Sequence, residues 1–222
     1  MKIENAYLQF LNLVNRNMTN NKVNVDKPRF IILYNDVANK YVEWILEKRN
    51  EDAIRYVAPL LVPNKKLSNR RSKHTYDEFA LPDDYFDLAN LHIHAGGKSC
   101  GGVELKAWEI KAEDVEEKYN DKFQEPSLPW RDTFYHTADN KVLVYKKDFS
   151  IQEAFLSYYR YPVQVDIIGY THIDGTPSQS VHPELGDKVI GRILLAMSKE
   201  FSAINGDSQG YQVDNARLFS AI

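Results

Sequence analysis

Cysteine is almost missing from this sequence. Cys100 stands alone among 222 residues, which excludes an internal disulfide and suits a reducing compartment. Long apolar runs are missing as well, and none approaches the ~20 residues of a membrane-spanning helix. The opening segment carries Glu4, Asn5 and Gln9 where a secretion signal needs unbroken apolar residues, so no export signal is expected. Nor does one sign of charge dominate. Lys+Arg 28 against Asp+Glu 31 leaves −3, so no bulk basic field recommends nucleic acid or a membrane surface as the main partner. What is present, 43% hydrophobic and 12% aromatic residues, is a globular composition. At this length folding can bury roughly 70% of the extended chain's surface, enough for one core or two small ones. The expectation is a soluble globular protein of intracellular origin.

Helical periodicity marks both ends of the chain. Ile3, Tyr7, Phe10, Leu11 and Val14 form one apolar stripe. After an Asn-rich break, Asp26 sits at an N-cap position with Pro28 in the first turn, predicting a long helix from Asp26 to Lys48. A shorter helical piece through Ile54 and Val57 stops at Pro59. Near the other end, Pro183 opens a helix striped by Val189, Ile190, Ile193, Leu194, Met197 and Phe201. The middle changes period. Leu91, Ile93 and Ala95 alternate with His92 and His94, and Val103, Leu105 and Ala107 repeat the pattern. An acidic helix at 113–119 follows. Thr133–Thr137, an Ala-Asp-Asn turn and Val142 with Val144 predict a hairpin, and residues 154–165 predict a further strand. The expected fold class is α+β: a bundle of N-terminal and C-terminal helices with an inserted antiparallel β-sheet or hairpin subdomain. The expected organisation is a single domain over 1–222, with a helical part at 1–58, an inserted β-rich part at 74–168, and a C-terminal helix and tail at 182–222.

Candidate chemistry is sparse. His92 and His94 share a strand face, but a metal site needs a third and usually a fourth ligand, and no second motif supplies them. Gly97-Lys98-Ser99 imitates the end of a phosphate-binding loop, yet His92 occupies the required glycine position and a strand, not a helix, follows. Asp83, Asp84 and Asp87 come directly after Leu81-Pro82 and read as a cap of a helical turn rather than an acid–base pair. No catalytic, metal or cofactor constellation emerges, and the chain is expected not to be an enzyme. One local charge feature stands out. Lys65, Lys66, Arg70, Arg71 and Lys73 place five positive charges in nine residues with no acid between them. They form either a solvated loop or an electrostatic contact with DNA backbone or an acidic partner. Tyr158, Tyr159 and Tyr161 put aromatics on both faces of one strand, a pattern permitted by core packing or by a neighbouring subunit. At the end of the chain, Tyr211, Val213, Leu218, Phe219 and Ile222 are more apolar than a solvated terminus should be and read as a docking segment.

The order of elements, with Leu81-Pro82-Asp83-Asp84, Pro129-Trp130 leading into a hairpin, Tyr158-Tyr159-Arg160-Tyr161-Pro162, and a helix opening at His182-Pro183-Glu184, resembles the head-to-tail connector (adaptor, or ring) proteins of podovirus-type bacteriophages. Usage rich in Asn, Lys, Ile and Tyr suits the AT-rich genome of a crAss-like phage. The resemblance implies a non-enzymatic virion protein at the head–tail interface. About a dozen copies would form a ring below the portal. Its implied partners are copies of itself, the portal protein, other tail ring or tube proteins, and DNA passing through the channel without sequence-specific binding. No membrane is implied. The basic residues 65–73 would then touch DNA or a neighbouring protein, and the apolar tail the portal or an adjacent subunit. A rival class is a monomeric α+β module that recognises a peptide or glycan.

Overall fold

The computed structural model describes residues 1–15, 24–49, 51–97, 100–204 and 211–216. The chain divides into two compact units, one formed by Met1–Leu60 with Pro162–Ile222 and one by Leu61–Tyr161.

In the first unit, helix α1 (Ile3–Val14) buries Ile3, Ala6 and Phe10. Helix α2 (Lys27–Lys48) starts where the Asp26 side chain accepts a hydrogen bond from the Arg29 N–H at 3.0 Å, and Arg49 ends it in the left-handed region at φ 45°. A single turn, α3 (Glu51–Ile54), follows. Helix α5 (Asp187–Ile204) buries the whole stripe expected of it, beginning at Asp187 rather than at Pro183. Residues 183–186 stay out of the helix, and Glu184 accepts the Val163 N–H at 2.9 Å. Phe10 packs edge-on against Phe201 at 6.0 Å and tilted against Phe30 at 5.5 Å. Residues 162–186 form an irregular excursion organised by Asp166. Its carboxylate accepts from the Tyr170 hydroxyl at 2.6 Å, the Ile167 and Gln179 amides at 2.8 Å each, and His172 Nε2 at 3.1 Å. Burial raises the Asp166 carboxyl, but these four donors outweigh it and hold the group below the usual carboxylate range. Burial and the same carboxylate push the Tyr170 phenol up to about 12.

The second unit is an eight-stranded sheet: β1 (Leu61–Lys66), β2 (Asn69–Ser72), β3 (Tyr76–Ala80), β4 (Tyr85–Gly97), β5 (Cys100–Glu109), β6 (Asp132–Ala138), β7 (Lys141–Tyr145) and β8 (Ser150–Arg160), in the order β1-β8-β4-β5-β6-β7-β3-β2. The two edges of that order, β1 and β2, are consecutive in the chain and separated only by Leu67 and Ser68. Both linking residues stay in the ladders, since the Leu67 N–H donates to the Ala154 carbonyl at 2.8 Å and the Ala80 N–H to the Ser68 carbonyl at 3.3 Å. The sheet therefore curls until its two end strands meet in one bent strand, 61–72, which pairs on one side with β8 over its first part and with β3 over its second. Its interior is filled by Leu67, Phe79, Leu91, Ile93, Leu105 and Leu156 among others.

This architecture corrects the expected fold class. The chain is a mixed α/β protein dominated by a curled eight-stranded sheet, not a bundle of N- and C-terminal helices carrying a small sheet. Neither is the sheet wholly antiparallel. Strands β5 and β6 run parallel from Lys106↔Asp132 to Glu109↔Tyr135, joined by a crossover that contains helix α4 (Val115–Asn120). Locally the hairpin is as the residues imply: β6 and β7 pair across Asp139 and Asn140, at φ 49° and 58°, a turn with both central residues left-handed.

Candidate functional site

The five basic residues do not form a loop. They lie in and beside the bent strand that closes the sheet, and all five are exposed. Two irregularities set their directions. Between Val62 and Lys65, β1 advances three residues while β8 advances two, so Pro63 and Asn64 (φ 49°) form a bulge. Between Asn69 and Arg71, β2 advances two residues while β3 advances one, so Arg70 is an extra residue. A regular strand would send Arg70 and Arg71 to opposite faces, one of them inward. The bulge lets both reach water.

Their neighbours differ. Lys65 Nζ lies 3.3 Å from the Tyr158 hydroxyl, which in turn donates to Asp84 at 2.8 Å. Burial, with Asp84 adding to it, pushes the Tyr158 phenol up to about 12. Lys66 pairs with Glu153 at 2.5 Å, and Lys73 stands over the Tyr76 ring at 5.1 Å. Arg70 and Arg71 make no ion pair among the described residues. Behind this strand a buried pair fixes β2. Lys146, next to β7, meets Asp77 on β3 at 2.5 Å and donates to Ser72 Oγ on β2 at 2.8 Å, with side-chain exposures of 11% and 2% for Lys146 and Asp77. Nothing in the sequence reading singled out that pair. The available signal was position: Asp77 falls on the same strand face as buried Phe79.

Asp83 and Asp84 belong to a tight turn between β3 and β4, closed by the Tyr85 N–H donating to the Pro82 carbonyl at 3.1 Å. No helix follows, so the cap reading is corrected. Asp84 instead anchors Tyr158 and accepts the Tyr161 N–H on its carbonyl at 2.9 Å. Tyr158 is fully buried, Tyr159 nearly so, and Tyr161 is half exposed.

The β5–β6 crossover carries the opposite charge. Glu109, Glu113, Glu116 and Glu117 are exposed there, beside Asp114 and Asp121. The same stretch presents large aromatics to water: Phe123 is 98% exposed and Trp130, in the turn before β6, 81%. Lys106 lies over the Trp108 ring at 4.4 Å.

A third feature is a shallow groove of about 340 Å³ on the sheet, lined by Asn64, His92, His94, Glu104 and Phe155. His92 is held at both ring nitrogens, by Glu104 at 2.7 Å and by Asn90 at 2.9 Å, and His94 packs edge-on against Phe155 at 5.4 Å. Among the described residues no group of three or more His, Cys, Asp or Glu side chains is placed to hold a metal ion, and no helix is long and apolar enough to cross a membrane.

In the tail, residues 211–216 are helical. Tyr211 and Val213 are partly exposed, and Lys199 of α5 reaches both the Tyr211 ring at 5.0 Å and Asn215 at 2.7 Å. Leu218, Phe219 and Ile222 lie outside the described residues. Compared with protein-family models and with curated proteins, the chain matches none.

Proposed function

We propose that the chain is a structural virion protein whose copies form a ring below the portal, joining head to tail and extending the DNA channel for genome retention and ejection. The observation that carries this reading is the set of large apolar side chains left in water, above all Phe123, Trp130 and, at the tip of the 162–186 excursion, Ile173. Side chains of this size, nearly fully solvated, are available to be covered by a neighbouring copy or partner. The net charge of −3 per chain multiplies around a ring, and an acidic channel lets DNA slide without the counterion-releasing contacts that grip it. The test is to mix the chain with the portal encoded in the same genome and examine the product by electron microscopy. Rings on the portal are expected, with the gene lying beside portal and terminase genes. A chain that stays monomeric with the portal and is missing from particles refutes the reading.

A second reading, a monomeric module that recognises a peptide or glycan, draws on the groove at His92, His94, Glu104, Asn64 and Phe155, which combines planar polar groups with an aromatic ring. Line broadening or shifts confined to these residues on titration with an oligosaccharide panel would favour it.

A further inference from the structure

We infer that copies of this chain meet head to tail through the sheet unit, the bent basic strand of one copy seating on the acidic, aromatic β5–β6 crossover of the next. This rests on the ring reading and names the contact within it. The two surfaces complement each other twice over. Residues 65–73 carry five positive charges and no acid, whereas 109–121 carry six acids (Glu109, Glu113, Asp114, Glu116, Glu117, Asp121) against Lys111 and Lys118. Beyond charge, Arg70 and Arg71 offer planar guanidinium groups, which bind carboxylates through paired hydrogen bonds and stack on aromatic faces. The crossover segment supplies both kinds of acceptor, exposed glutamates and the exposed rings of Phe123 and Trp130.

Within one chain the surfaces do not satisfy each other. Lys66 pairs with Glu153, Glu113 has only an exposed contact with Lys111 at 3.6 Å, and no ion pair among the described residues joins 65–73 to 109–121. DNA would satisfy the arginines and leave Phe123 and Trp130 in water. A second copy covers both surfaces with one contact. Because the contact joins two different patches, it leaves one of each kind free on the outer copies. Such a heterologous contact propagates, and it closes into a ring when the rotation per copy allows.

Charge exchange tests this. Arg70→Glu/Arg71→Glu cuts the basic surface from +5 to +1, and Glu116→Arg/Glu117→Arg cuts the acidic one from −4 to 0. Self-association is read at low salt by native mass spectrometry. It is also read by carbodiimide cross-linking of mixed light and heavy isotope copies, in solution and on the portal. The wild type should give light–heavy links from Lys65, Lys66 or Lys73 to the 109–121 acids. Each reversed variant alone should lose association, and an equimolar mixture of the two should regain it. Folding is checked by the unchanged circular dichroism of each variant, and regain in the mixture excludes misfolding as the cause of loss. Missing light–heavy links in the wild type under both conditions overturn the contact, as does a mixture that fails to recover. Loss of retention on duplex DNA by the arginine variant, with its copy-to-copy links intact, overturns it in favour of DNA. Portal-bound rings that survive charge reversal would sink this contact and leave the ring reading standing. Association of the exchanged pair with no ring on the portal would do the reverse.

Discussion

The Lys146–Asp77 pair offers the sharpest test of how the closing strand is held. At 2.5 Å and an effective dielectric of about 20, the attraction is about 7 kcal/mol. Desolvating two nearly buried ions costs several kcal/mol each, so the pair is close to balance against an apolar replacement. Breaking it is another matter. Asp77→Ala leaves an ammonium with only Ser72 Oγ for a partner, and removal of one member of a buried pair costs about 3–5 kcal/mol. Asp77→Leu/Lys146→Met, which removes both charges at similar volume, should stay within about 1.5 kcal/mol of the wild type. Since Lys146 also holds Ser72, the single variant should lose protection in β2 together with β3 and β7. Native-state hydrogen exchange across a urea series reads all three strands separately. A cost below about 1 kcal/mol for Asp77→Ala, or a double variant no better than the single, refutes the account.

Three further outcomes follow from particular contacts. Asp166 has a folded pKa below its unfolded one, so its contribution is present above the unfolded value and lost as pH falls through the folded one. The stability difference between wild type and Asp166→Asn, measured by urea unfolding, should be present at neutral pH and shrink below about pH 4. Asn140, at φ 58°, should accept glycine with a gain of up to about 1 kcal/mol and valine only with a loss of about 1–2 kcal/mol, measured by thermal unfolding. Asp26→Ala removes the bond to the Arg29 N–H and should cost about 1 kcal/mol, with fraying seen first in the opening turn of α2 by amide exchange.

The helices were legible because a 3.6-residue stripe survives in the sequence whatever the rest of the chain does. Val189, Ile190, Ile193, Leu194, Met197 and Phe201 all turn out buried. Strands β4 and β5 were legible for the same reason at period two, with Leu91, Ile93 and Leu105 inside. Strands β1 and β2 were not. Between Leu61 and Ser72 only Leu67 is buried, and a strand that buries one residue shows no alternation. The missing strands changed the class of the fold, because the unseen segment is the one that joins the two edges of the sheet. Periodicity measures how much of an element is covered; it is silent on how elements are joined.

The candidate site shows the same division between chemistry and geometry. The basic run 65–73 is plain in the sequence, since five charges without an acid need no structure to be noticed. Its placement is not, because it depends on two bulges, and a bulge is a mismatch in advance between two strands that only their pairing defines. Without the extra residue at Arg70, alternation would drive one arginine toward the interior of the curled sheet, where an unpaired guanidinium would be heavily penalised. With it, both arginines share one exposed side, and a charge run becomes a surface able to bind carboxylates and rings together. The polar composition that hid β2 from a periodicity reading is therefore the composition that makes it a contact. A strand whose residues serve the solvent side rather than the core is fixed by its neighbours, here through Ser72, Lys146 and Asp77, instead of by burial of its own side chains.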